Sequence, residues 1–144
     1  MPISVFGKIM ITKEKIVAFL KTDFPQTKCL VDEVGNRSST VRHAISFDEL
    51  RPGGTVSGPV LMEVADLALY VAILGELGLV SLAVTTNLSI NFLRKPTADK
   101  DIIGKCSLMK VGKSLVIGEV TLFSSDDEAP VAHVVGTYSI PPVG

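Results

Sequence analysis

The stretch from Val60 to Leu74, VLMEVADLALYVAIL, limits the folds open to this chain more than any other. Thirteen of its fifteen residues are apolar, and the exceptions are Glu63 and Asp66. It is too long for one strand, and its Ala, Leu and Met content favours helix. Ser57 or Gly58 can cap the start, Pro59 suits the first turn, and Gly75 and Gly78 mark the end, so the sequence predicts a helix over residues 57–77. Apolar residues run nearly all the way round it, so it should be buried on most sides. Asp is a poor helix former, and a mid-helix Asp66 in such surroundings needs a reason.

The rest of the chain reads as short elements able to cover such a helix. Residues 12–24 form a short amphipathic helix, capped by Thr12, with Ile16, Val17, Phe19 and Leu20 on its apolar face and Pro25 as its stop. Residues 28–33 and 39–47 read as strands around the GNRS turn. RPGGTVSGP is a loop dense in glycine and proline. After the long helix, residues 80–94, 101–110, 114–123 and 132–140 read as four strands; near the end of the first, Leu88, Ile90 and Phe92 alternate with polar residues. Their short links favour antiparallel pairing. The expected fold is α+β, one antiparallel sheet wrapped round one central helix, in a single domain over residues 1–144.

Bulk properties exclude several functions. A net charge of -1 supplies no basic field for nucleic acid. Cys29 and Cys106 lie far apart with no metal or redox spacing, and His43 and His133 form no metal motif, so no metal is expected. Both histidines read as structural or surface residues. The longest charge-free apolar run, Leu67 to Gly75, is too short for a bilayer, and the N-terminus shows no secretory pattern. A cytoplasmic protein without membrane or nucleic-acid partners is expected. With 47% hydrophobic and 20% charged residues, some outer surface is expected to be buried against another copy.

The segments GPVLMEVADLALYVA, TTNLSINFLRKP and GKCSLMKVGKSLVIGEVTLFSSDDEAPVAHVVGTYSI resemble the hotdog-fold acyl-CoA thioesterases of the phenylacetate type, over roughly residues 30–142. That resemblance implies hydrolysis of a thioester to free acid and coenzyme A, the coenzyme being part of the substrate and no further cofactor being needed. It makes Asp66 the general base or nucleophile and Gly58 the backbone donor to the oxyanion. Ser57 stands where the family carries a histidine, Pro59 replaces a second glycine, and Arg51 occupies a position often held by Asn or His. Thr85 or Thr86 matches a hydroxyl residue that positions water. The resemblance also implies a homodimer or homotetramer whose sites combine residues of two subunits.

Chemistry supports the same assignment. A carboxylate in apolar surroundings is a stronger base, and the unpaired N–H groups of a helix start stabilise negative charge. Glu63, one turn before Asp66, is either a second acid in the site or a partner for Arg51 or another cation at the dimer seam. Arg94, Lys95, Lys110 and Lys113 are expected to cluster at strand ends and hold the phosphates of coenzyme A. The size of the acyl pocket depends on how Tyr70, Met62 and residues of the partner subunit pack. Two other readings stay open: an acyl-CoA binding or sensing protein without turnover, and an acyl-thioester hydratase or dehydratase.

Overall fold

The computed structural model describes residues 3–5 and 8–142. Two three-residue strands, β1 (Ile3–Val5) and β2 (Lys8–Met10), pair at the start. Helix α1 (Lys13–Asp23) begins at Thr12, whose Oγ1 accepts the Lys15 N–H at 3.3 Å, and it stops just ahead of Pro25. Its buried side chains are Ile16 and Leu20.

Strands β3 (Leu30–Gly35) and β4 (Ser38–His43) form a hairpin whose two-residue turn places Arg37 at φ 53°. A short 3-10 turn (Phe47–Glu49) leads into a small hairpin, β5 (Leu50–Arg51) and β6 (Thr55–Val56). Helix α2 (Gly58–Leu77) follows and ends at Gly78, whose N–H bonds the Leu74 carbonyl at 3.0 Å. Gly78 has φ 100°, a conformation that favours glycine. Strands β7 (Val84–Phe92), β8 (Ile102–Val111), β9 (Leu115–Ser124) and β10 (Pro130–Ser139) complete the chain.

The main sheet is antiparallel, with order β3-β4-β8-β9-β10-β7. Helix α2 lies across one face of it, chiefly against β8, β4 and β9. Fourteen of its twenty residues are buried, from Val60 to Glu76. The helix sits this close because two strands offer glycine beneath it. Gly118 and Gly136 are register partners, and a Cβ on either would come within 2.7 Å and 2.5 Å of Leu69. Leu69 fills the space that their missing side chains leave, which is the physical need for glycine at both positions.

The two cysteines are free and buried. Among the described residues no helix is long and apolar enough to cross a membrane.

Candidate active site

Asp66 sits midway along α2 with its carboxylate at the wall of a cavity of about 330 Å³. Two hydroxyls meet its Oδ1: that of Thr85 on β7 and that of Tyr138 on β10, the latter at 2.8 Å. The Tyr138 hydroxyl also lies 3.0 Å from the Asp66 backbone carbonyl, so its single proton is shared between two acceptors. Among the described residues Oδ2 carries no hydrogen bond from the protein. The carboxylate is thus fixed through one oxygen and presents the other.

A bulge selects which threonine does this. Gly136 pairs with Leu88 and Thr137 with Asn87, but Tyr138 pairs with Thr85, so Thr86 is the extra residue. By simple alternation Thr86 would share the helix-facing side with Leu88 and Ile90. The bulge turns Thr85 inward instead, and Thr86 donates to the Thr137 carbonyl at 3.3 Å.

Tyr138 was not legible as a site residue. It is 3% exposed, and its place two residues after Gly136 on the inward face was the one available signal. Burial, and next the charge of Asp66, raise its hydroxyl well above the usual tyrosine range, so it stays a neutral donor. Tyr70 stacks on it at 6.3 Å between ring centroids, and Phe24 meets Tyr70 edge-on at 6.1 Å. Phe24, Tyr70 and Tyr138 therefore form an aromatic row along the cavity beside Asp66. Within one chain Met62 does not line this cavity.

Glu63 lies on the same wall, and among the described residues no ion pair joins it to Arg51. Arg51 is exposed on β5, whereas Glu63 faces the cavity one turn before Asp66.

Gly58 is the first residue of α2, and among the described residues its N–H has no backbone partner. The Phe92 ring packs beside it, and a Cβ at Gly58 would lie 3.1 Å from the ring edge. Ser57 occupies the cap position but makes no side-chain cap bond. Pro59 has no N–H to offer the hydroxyl, which leaves the Val60 N–H as the one cap donor of the usual pair, and the hydroxyl does not take it. Ser57 is held through its backbone instead, its N–H bonding the Glu49 carbonyl at 2.9 Å.

The four cations expected to cluster are divided. Arg94 and Lys95 follow the end of β7 that pairs with Ala132, whereas Lys110 and Lys113 lie at the opposite end of the sheet, where β8 meets Ile117 and turns into β9. Antiparallel register separates them by most of a strand length. Arg51 is the cation that joins Arg94 and Lys95: Val56 N–H bonds the Pro96 carbonyl at 3.2 Å, and Thr55 bridges Thr97, which ties the Arg51 hairpin to that segment. His133 pairs with Glu119 at 3.2 Å on the outer part of the sheet, and His43 is buried beside Glu49.

The family model of the thioesterase superfamily matches residues 53–131, more than half of the chain. The chain belongs to this superfamily. The matched thioesterase segment runs from the glycines before α2 into the start of β10. A candidate thioesterase of Silicibacter sp. TM1040 is 42% identical, with a TM-score of 0.85 over 94% of this chain and 95% of that one. Zebrafish thioesterase superfamily member 2 shares 16% identity at a TM-score of 0.79, over 91% and 99% of the two chains. The PaaI protein of the E. coli phenylacetic acid degradation operon shares 19% at 0.71, over 88% and 90%. The last two establish the hotdog fold for this thioesterase, as its resemblance implied. A comparison with curated proteins gives no match.

Proposed function

We propose that this thioesterase hydrolyses acyl-CoA, with Asp66 as the group that activates water. The observation that carries this reading is the asymmetric hold on Asp66: Tyr138 and Thr85 occupy Oδ1, and Oδ2 is left toward a cavity lined by aromatic rings. Oδ2 takes a proton from water as the water oxygen attacks the thioester carbon. The carbonyl oxygen gains negative charge, the C–S bond then breaks, and the thiolate of coenzyme A leaves and is protonated. The products are the free acid and the thiol. Direct attack by Asp66, through an anhydride that water then opens, is the variant with the same residues.

The oxyanion is held by the Gly58 N–H. Gly58 precedes Asp66 by eight residues, which is about 12 Å along a helix, whereas an oxyanion donor acts at about 3 Å. One chain therefore does not bring both groups to one carbonyl, and the site combines Asp66 of one copy with Gly58 of another. The free edge of β7 supports such an assembly. It is the last strand of the sheet, and Val84 and Phe92 on it are 57% and 54% exposed. A homodimer, or a homotetramer built from it, follows. Arg51, Arg94 and Lys95 near the start of α2 take the phosphates of coenzyme A.

Mixing two defective variants tests the shared site. Asp66→Asn removes the base, and Gly58→Pro removes the donor at a helix position that suits proline. In randomly mixed symmetric dimers half the pairs are hybrids with one intact site, so about a quarter of wild-type thiol release should return. Two inactive variants that stay inactive after co-refolding would contradict the shared site.

A further inference from the structure

A second group of buried polar side chains lies outside the cavity of Asp66. His43, at the end of β4, is 1% exposed, and Glu49, in the 3-10 turn, is 8% exposed. Their side chains meet at 2.7 Å between Nε2 and Oε2. The other ring nitrogen of His43 faces the Cys29 sulfur at 3.7 Å. The second carboxylate oxygen of Glu49 accepts the Ser46 N–H and the Ser46 hydroxyl, each at 2.9 Å. Every polar atom of this group has a partner.

Burying a carboxylate and an imidazole costs more than an apolar pair would, and a fully hydrogen-bonded buried network of this kind rigidifies what it holds. The geometry fixed here is that of the helix start. The Glu49 side chain is locked by β4 and Ser46, and the Glu49 backbone carbonyl accepts the Ser57 N–H at 2.9 Å. Ser57 immediately precedes Gly58. The β5–β6 hairpin spans the interval between Glu49 and Ser57, so the bond from Ser57 to Glu49 closes that hairpin at its base.

We propose that His43 and Glu49 are positioning residues for thioester hydrolysis: through the Glu49 carbonyl they hold Ser57 and so aim the Gly58 N–H at the oxyanion. This rests on the role given to Gly58 above. Because Gly58 serves a site completed by another copy, the pair acts on the carbonyl that the other copy's Asp66 attacks. Small errors in donor placement lower turnover steeply, since the donor must meet the oxygen as charge develops.

The test uses the full chain, with Glu49→Ala, Glu49→Gln and Ser46→Ala. Amide hydrogen exchange at Ser57 is read without substrate, and kcat and KM are read by thiol release. Glu49→Ala should speed Ser57 exchange at least about tenfold relative to amides of β8 and β9, and lower kcat about tenfold or more with KM within about twofold. Glu49→Gln keeps the shape and an acceptor for Ser46, so both readings should return close to wild type. If Glu49→Ala does not fold, Ser46→Ala must show a smaller effect in the same direction. Unchanged Ser57 exchange in a folded variant, or lowered thermal stability with kcat unchanged, would overturn the proposal. A wild-type chain that turns over no acyl-CoA would sink the hydrolase reading itself and the catalytic part of this one, while exchange at Ser57 would still report whether the pair holds the helix start.

Discussion

Tyr138 and Asp66 meet at 2.8 Å across the seam between the last strand and the central helix. The contact joins residues 72 positions apart in the chain, and with Thr85 it occupies one oxygen of the carboxylate and leaves the other without a hydrogen bond from the described residues. Tyr138→Phe should therefore keep the fold and lower kcat about tenfold, with a stability loss of about 1 kcal/mol for the missing hydrogen bond. Steady-state kinetics beside a thermal melt separates the two effects. Wild-type kcat in the variant would mean that Thr85 alone holds Asp66.

The threonine pair offers a sharper comparison, because the two residues are neighbours. Thr85→Ala should cost roughly tenfold in kcat, Thr85→Ser should restore most of it, and Thr86→Ala should be near neutral. The bulge at Thr86 is what separates them. Equal losses from both alanine variants would show that the register at Thr137 and Tyr138 differs from that described.

The central helix, the four strands after it and the apolar character of the helix faces were legible in the sequence, because period-two alternation and a stretch with thirteen apolar residues in fifteen carry them; the order of strands in the sheet was not, because alternation does not say which strands pair. Which threonine meets Asp66 was not legible either. Alternation from Leu88 and Ile90 points to Thr86, and a one-residue bulge leaves no mark in the alternation itself. Tyr138 reads as another inward core residue until the helix is placed against it. The division of the four cations depends on register: Lys110 and Arg94 both end strands, but antiparallel pairing puts those ends on opposite sides of the sheet.

Gly58 and Phe92 supply a test of crowding at the donor. A methyl at position 58 would approach the ring edge to 3.1 Å, so Gly58→Ala should reduce kcat several-fold. Shortening the ring in Gly58→Ala with Phe92→Leu should recover part of the loss, with a coupling of about 1 kcal/mol in a double-mutant cycle. Purely additive losses would remove Phe92 from the account of the donor.

Acid should loosen the helix start first. Burial acts to raise the Glu49 carboxyl, but the Ser46 N–H, His43 and the Ser46 hydroxyl outweigh it and hold the group below the ordinary glutamate range. A lowered folded value means that the unfolded chain binds the proton first. The stability from Glu49 is therefore complete above the unfolded value, about 4.3, and is lost as pH falls through the lower folded value. Melting temperature measured from pH 7 to pH 3 should fall less steeply for Glu49→Gln than for wild type. Parallel curves would contradict an ionised Glu49 in the folded chain.

The central claim is that Asp66 activates water against an acyl-CoA thioester. Its most direct test is thiol release from short, medium, long-chain and aromatic acyl-CoAs, for wild type and Asp66→Asn side by side, with a thermal melt of each. Turnover of at least one class by wild type, falling at least about a thousandfold in a folded Asp66→Asn, is the predicted result. Turnover that survives the substitution, or wild-type protein that binds acyl-CoA and releases no thiol, would contradict it.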